Sequence, residues 1–305
     1  MTNGKRFVIA DVFSEKRFGG NQLAVFIDGS GLDDATMQNI AREMNYSETT
    51  FLLPPKSGGD YHVRIFTPAH ELPFAGHPVV GSGYVIVAEG LKQLSNPITT
   101  VALETGVGVL NVEIQSVEGT LGRSTMTQPI PVVRGTFEDT ARVAGALSLD
   151  VAQLDNDYPV QTVFNGIAVI VVPVKTLSAV QNIKVDVAGL EQISNEVGAT
   201  TVLAFTRETL SPDFTVHCRV FAPAAGVIED AATGSANGSL GFYLADHKIV
   251  QANPTARIVS EQGFEMNRPS LLYLDVDVDS ETEKVAGVRV GGGVVITGRG
   301  EIYVD

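Results

Sequence analysis

Apolar and polar residues alternate along most of the chain, which predicts a protein rich in β-strands. Apolar positions at spacings of three and four predict helices from Asp33 or Asp34 to about Met44, over 137–145 and over 187–197. The predicted strands cover 7–13, 23–27, 49–53, 61–67, 99–103, 108–114, 124–128, 160–164, 167–173, 202–205, 215–221, 256–262, 270–278, 285–290 and 294–296, followed by a hairpin-like ending over 298–304.

Residues 65–84 interrupt this alternation with a strand-to-helix turn. The strand ends at Pro68, and a helix opens within 75–78 (AGHP). Gly76 lets the backbone approach a ligand closely, and Pro78, expected at the first helical position, has no N–H to leave unpaired. The unpaired N–H groups and the dipole of such a helix start favour a bound anion, although the turn can equally be a plain connector.

This arrangement occurs twice in the chain. Residues 62–69 (HVRIFTPA) match 217–224 (HCRVFAPA) at five of eight positions. Gly76 follows the first stretch and Gly234 follows the second, after a turn that is three residues longer. We interpret the chain as two copies of one unit that join near 129–131. The copies also share Asn21 with Asn165, and Thr49-Thr50 with Thr200-Thr201.

Two copies of one unit usually pack around a pseudo-twofold axis, so we expect both turns to meet in one cleft. The helices that start near His77 and Ser235 would then direct their N-terminal ends at one ligand. Such an arrangement stabilises an oxyanion with backbone groups alone. A length of 305 residues agrees with two halves of about 150 residues each.

The two copies differ at acidic positions, which a purely structural repeat does not require. Glu48 precedes the first Thr-Thr pair, where the second copy has Ala199. Glu229-Asp230 lies in the second turn, and we match it to Pro73-Phe74 in the first. A carboxylate enclosed in a cleft has a raised pKa, as acid-base catalysis near neutral pH requires.

Each candidate also has a plain structural interpretation. Glu48 can be a solvated or capping residue, Asp230 can cap the turn before a helix, and His77 can be an ordinary helix-start residue. The arginines and histidines that are matched between the copies are expected to be structural, with the arginines tying carboxylates. These residues are Arg64, Arg219, His62 and His217.

Composition narrows the classes of function. A net charge of −14 opposes nucleic acid and anionic membranes as partners, because phosphate is bound chiefly by Lys and Arg. Cys218 is the single cysteine, which excludes an internal disulfide and a thiolate metal cluster. Neither a signal peptide nor an apolar membrane-spanning run is evident, so we expect a cytoplasmic protein. No nucleotide-binding glycine loop, zinc motif or hydrolase elbow is present, which leaves chemistry without a cofactor or metal.

Five stretches resemble the phenazine-biosynthesis PhzF-like isomerase family of the diaminopimelate epimerase-like superfamily, and the similarity spans almost the whole chain. They are DVFSEKRFGGNQLAVF (11–26), MNYSETTFL (44–52), RIFTPAHELPFAGHPVVGSGYV (64–85), EDAATGSANGSLGFYL (229–244) and EQGFEMNRPS (261–270).

The resemblance implies an α+β fold of two pseudo-symmetric halves. Each half is a mostly antiparallel sheet curled around a central helix, with the active site in the cleft between the halves. The halves are 1–128 and 129–292, and a C-terminal strand, 293–305, returns to the first. A homodimer without cofactor or metal is also implied.

The family's best-known reaction isomerises a dihydro-hydroxyanthranilate by moving a proton between ring carbons. By resemblance, Glu48 is the acid-base carboxylate, and His77 and Asp230 orient the substrate. Ser235, with Gly76 and Gly234, forms the turns that hold the substrate carboxylate. We therefore expect a cofactor-independent isomerase acting on a small, cyclic, anionic carboxylic or amino acid.

Two departures from the wider pattern bear on this expectation. Related epimerases place cysteines where this chain has Ala75 and Thr233, so two-thiol epimerase chemistry lacks its nucleophiles. Asn267 stands where the family usually has glycine, which calls the shape of that loop into question. A racemase or epimerase, and a binding protein that has lost turnover, are the alternative functions.

Overall fold

The computed structural model describes residues 3–304. The chain divides into two compact units, the first formed by Met1–Thr127 and Gly291–Asp305 and the second by Gln128–Val290. Among the described residues there are six α-helices, and no helix combines the length and apolar character needed to cross a membrane.

The first unit is a largely antiparallel sheet with two helices. Only the pairings of β2 with β3 and of β4 with β6 are parallel among those described for this unit. Its elements are β1 (Asn3–Val12), β2 (Asn21–Phe26), α1 (Asp34–Met44), β3 (Glu48–Leu53), β4 (Tyr61–Phe66), β5 (Glu71–Leu72), α2 (Gly76–Ala88), β6 (Ile98–Thr105), β7 (Gly108–Val117) and β8 (Thr120–Gln128).

Helix α2 forms the centre of this unit. All of its residues are buried except Tyr84 and Ala88, and it packs against β1, β2, β6 and β7. A Cβ atom on Gly81 would lie 2.6 Å from Leu23, and one on Gly83 would lie 2.8 Å from Val112. Glycine therefore lets this helix approach the surrounding strands closely, which fixes the position of its N-terminus.

The second unit repeats this plan. Its parallel pairings are β11 with β12 and β13 with β15, and α6 packs against β10, β11, β12, β15 and β16. Its elements are β9 (Val132–Thr136), α3 (Thr140–Ala146), β10 (Gln161–Phe164), β11 (Ala168–Pro173), α4 (Leu177–Gln181), α5 (Val187–Val197), β12 (Thr201–Thr206), β13 (Val216–Ala222), β14 (Val227–Asp230), α6 (Gly234–Asp246), β15 (Thr255–Gln262), β16 (Ser270–Val278) and β17 (Val285–Gly292).

The last strand, β18 (Val294–Val304), pairs antiparallel with β1 in the first unit. The prediction of a short strand followed by a hairpin was wrong, because β18 is continuous. A register shift opposite Ile9 and Ala10 absorbs one residue between Ile296 and Gly298. Such a bulge bends the strand without ending it.

Other differences from the predicted elements lie where the hydrophobic pattern is weak. Strand β9 was not predicted, and all five of its residues are exposed, so it shows no alternation. Helix α3 begins at Thr140 instead of 137, because Asp139 accepts a hydrogen bond from the Arg142 N–H and caps it. Helix α4 and the short strands β5 and β14 were also not predicted.

Asn267 adopts a left-handed backbone conformation with φ of 55°. Asparagine tolerates this region better than most residues other than glycine. The substitution noted in the sequence is therefore compatible with a loop that would suit glycine.

Candidate functional site

Glu48 and His77 face each other in the first unit. Glu48 is the first residue of β3 and pairs with Leu23 of β2 in a parallel ladder. His77 is the second residue of α2, and its Nε2 lies 3.3 Å from Glu48 Oε2. The side chains of Glu48 and His77 are 15% and 5% exposed. The structure thus brings two of the predicted site residues together.

His77 is neutral in this environment. Burial lowers its pKa from 6.5 to about 3, and a hydrogen bond with the backbone of Gln22 opposes this effect only weakly. A position in the first turn of a helix also disfavours a positive charge. Glu48 therefore lies beside an uncharged imidazole. This imidazole cannot offset the negative charge of a carboxylate as the cation of a salt bridge would.

In the second unit, the predicted residues Asp230, Gly234 and Ser235 lie around the start of α6. Asp230 ends β14, Gly234 is the first helical residue and Ser235 the second. Thr233 donates its hydroxyl hydrogen bond to Asp230 Oδ2 at 2.5 Å. The Asp230 carboxylate is thus tied to the residue immediately before the helix.

Neither helix start is capped by a side chain. Ala75 precedes α2 and Thr233 precedes α6, and no capping hydrogen bond forms at either position. The N-terminal N–H groups of a helix have no partner within the helix, so an uncapped start can bind an anion. Pro78 is the third helical residue of α2 and not the first, as was predicted, but its missing N–H is likewise no loss there. That the two helix starts serve one cleft stays a prediction.

The strand pairings correct the match that was predicted for Asp230. Phe66 pairs with Glu71 and Ile65 with Leu72, while the repeat of Ile65, Val220, pairs with Asp230. Asp230 therefore stands where the first copy has Leu72, and Glu229 where it has Glu71. The match to Pro73-Phe74 was wrong because the three extra residues of the second turn precede β14. Glu229 is part of the repeat, and Asp230 is not.

The repeated arginines bind the repeated glutamates, as expected of structural residues. Arg64 donates from Nε and Nη2 to the two oxygens of Glu71 at 2.7 and 2.6 Å. Arg219 makes the same two-pronged contact with Glu229 at 2.8 Å for both bonds. These pairs tie the short strands β5 and β14 to β4 and β13.

His217 lies between two carboxylates and is fully buried. Its Nδ1 is 2.9 Å from Glu261 and its Nε2 is 3.0 Å from Glu265. Hydrogen bonds and charge attraction from these two groups outweigh the effect of burial and raise the pKa of His217 to about 9. The matched histidine, His62, instead has a lowered pKa because of burial.

We expect His217 to make the stability of the protein fall as pH rises from about 6.5 to 9. Its folded pKa of about 9 exceeds the ordinary value of 6.5, so its stabilisation is complete below 6.5 and is lost as pH passes 9. The loss is up to about 3 kcal/mol. Urea denaturation between pH 6.5 and 9 should show this slope in wild type and in His62→Gln, but not in His217→Gln. An unchanged slope in His217→Gln contradicts the assignment.

Several polar residues around α6 were not predicted to belong to the site, although Asn165 was matched to Asn21 in the repeat. Gln262 accepts hydrogen bonds from the Thr233 N–H and from Asn237. Asn165 donates to Gln128 and to the Ser235 carbonyl, and Gln128 donates to the Gly234 carbonyl. Comparing the two copies for polar residues that replace apolar ones would have found part of this set.

Within residues 3–304, no group of three or more His, Cys, Asp or Glu side chains is arranged to hold a metal ion.

The family model described as phenazine biosynthesis-like protein matches residues 10–300. A curated protein of Pseudomonas fluorescens named trans-2,3-dihydro-3-hydroxyanthranilate isomerase is 36% identical over 98% of this chain and 99% of its own length. The protein of the same name from Pseudomonas aeruginosa is 33% identical over 98% and 99%.

Solved structures agree in fold. A PhzF-family phenazine biosynthesis protein of Bacillus anthracis superposes with a TM-score of 0.90 at 27% identity, covering 99% of this chain and 100% of the other. A probable proline racemase from Agrobacterium radiobacter superposes with a TM-score of 0.68 at 12% identity, covering 99% and 93%. The predicted α+β, epimerase-like fold class is confirmed.

Proposed function

We propose that this chain, which belongs to the phenazine biosynthesis-like family of isomerases, moves a proton between two carbon atoms within one small carboxylic acid. The observation that carries the proposal is the pairing of Glu48 with a buried, neutral His77. A carboxylate in such a site can take a proton from carbon and return it elsewhere. No cofactor is required for this step, because one residue both removes and returns the proton.

The remaining candidates have binding roles in this proposal. Asp230 and His77 orient the substrate by hydrogen bonds. The uncapped helix starts at Gly76 and at Gly234-Ser235 bind its carboxylate and the negative charge that develops as the proton leaves. This assignment is supported by the absence of a capping side chain at both starts.

We propose trans-2,3-dihydro-3-hydroxyanthranilate, or a cyclic amino acid like it, as the substrate. The support is the name of the relatives that are 33–36% identical over nearly the full length. A homodimer and a cytoplasmic location stay predictions.

Racemisation by two thiols is a weaker candidate, because the chain has no pair of cysteines that could act as acid and base. Ala75 and Thr233 have no thiol, and Cys218 is fully buried on β13. Burial raises the pKa of the Cys218 thiol to about 12, so it is protonated and unreactive at neutral pH.

The test is to follow trans-2,3-dihydro-3-hydroxyanthranilate by proton NMR in D2O with the wild-type protein. We expect the ring double bonds to shift while deuterium enters at one carbon. Inversion of a stereocentre without a double-bond shift would indicate a racemase. Ligand-induced thermal stabilisation without exchange, seen with this and related cyclic amino acids, would indicate a binding protein.

A further inference from the structure

Thr233 is held within a buried polar network behind Asp230. Its hydroxyl donates to Asp230 Oδ2 at 2.5 Å and accepts from Gln262 Nε2 at 3.1 Å. The same Gln262 nitrogen donates to the Asp230 carbonyl at 2.7 Å, and Gln262 Oε1 accepts from Asn237 at 2.9 Å. Gln262 and Asn237 are fully buried. These bonds fix both the backbone and the carboxylate of Asp230.

The hydroxyl of Thr233 makes these contacts and does not cap helix α6. Threonine before a helix normally accepts a hydrogen bond from an N–H of the first turn. Thr176 does so at the start of α4, where its hydroxyl accepts from the Ala179 N–H at 3.2 Å. Thr233 makes no such bond. Its side chain is therefore used for Asp230 and not for the helix.

The first copy of the repeat shows that the fold does not need this network. The positions of Asp230, Thr233 and Asn237 are taken there by Leu72, Ala75 and Val79, and that of Gln262 by Thr105. Helix α2 nevertheless forms with the same length of 13 residues, and its first turn is buried. The matching half folds without these polar residues. We therefore attribute their presence in the second half to a role at the site.

We propose that Thr233, supported by Gln262, is a positioning residue for the isomerase reaction. Its hydroxyl holds the Asp230 carboxylate in the orientation that aligns the substrate for proton transfer. This inference rests on the proposed function, in which Asp230 contacts the substrate.

The test compares Thr233→Val, which keeps the shape and removes the hydroxyl, with Thr233→Ser, which keeps the hydroxyl. We expect Thr233→Val to lower kcat about 10- to 100-fold with KM within about threefold, because misalignment affects the reacting geometry. Thr233→Ser should recover kcat to within about threefold of wild type. Adding Thr233→Val to Asp230→Asn should lower kcat no further, since both changes disable one carboxylate.

Thr176→Val is the matched control. It removes the hydroxyl of a threonine that caps its helix, so we expect Tm to fall by about 2 to 4 °C with kcat unchanged. Wild-type kcat in Thr233→Val, or no recovery in Thr233→Ser, would overturn the proposal.

Crystal structures of Thr233→Val and wild type give a second readout that does not depend on turnover. We expect the Asp230 carboxylate to rotate away from its wild-type position in Thr233→Val and to keep it in Thr233→Ser. An unmoved carboxylate in Thr233→Val overturns the positioning role. Wild type that fails to isomerise trans-2,3-dihydro-3-hydroxyanthranilate instead counts against the proposed substrate, and the structures still decide the role of Thr233.

Discussion

Replacing Glu48 with glutamine is expected to abolish proton transfer and leave substrate binding nearly intact. Glutamine has almost the shape of glutamate and keeps the packing beside His77, but it cannot take a proton from carbon. Loss of a positioned general base lowers rates about 100- to 10,000-fold. Deuterium incorporation from D2O, followed by NMR, should fall by this factor, while the dissociation constant measured by calorimetry stays within a few-fold.

Glu113→Gln is the matched control for this experiment. Glu113 lies on the exposed face of β7 in the same unit, so its replacement removes one negative charge without touching the Glu48–His77 pair. We expect wild-type exchange in this variant. Undiminished exchange in Glu48→Gln excludes Glu48 as the acid-base residue, and a matching loss in Glu113→Gln would trace the effect to net charge.

Elements with strong local signals could be predicted from the sequence. Helix α1 runs from Asp34 to Met44 as predicted, because Asp33 caps its start and Asn45 ends it in a left-handed conformation. Helix α5 ends at Val197, because Gly198 adopts the same left-handed conformation. Strand β9 has no such signal: its exposed residues are ordered by pairing with β10, and a long-range pairing leaves no local pattern.

The residues of the candidate site also differ in whether the sequence alone indicates them. Glu48 was visible in the sequence as an acid that the second copy lacks. The network around Thr233 was not visible, because Gln262 meets Thr233 only through the pairing of β15 with β13. Pairwise comparison of the copies identifies such residues once the strand register is known.

Replacement of the repeated arginines is expected to destabilise the protein by amounts that differ between the two copies. Arg219 is 8% exposed, and besides Glu229 it donates to the carbonyls of Val180, Gln181 and Ile183 at 2.9 to 3.3 Å. These carbonyls lie at and just beyond the C-terminus of α4, where a cation also interacts favourably with the helix dipole. Arg219→Met removes the charge and leaves Glu229 and the carbonyls of Gln181 and Ile183 without this donor, while the Val180 carbonyl keeps its bond from the Ile183 N–H. We expect the free energy of unfolding to fall by about 3 to 5 kcal/mol.

Arg64→Met is the matched control in the first copy. Arg64 pairs with Glu71 and with Asp34, whose side chains are 41% and 85% exposed and are readily solvated when the arginine is lost. Its replacement should cost only about 1 kcal/mol in urea denaturation. Arg219→Lys should be intermediate, because lysine keeps the charge without the planar fork. Equal losses in Arg219→Met and Arg64→Met would contradict this expectation. The stabilisation would then come from the two-pronged bond to glutamate, which both copies share, and the carbonyl contacts of Arg219 would contribute little.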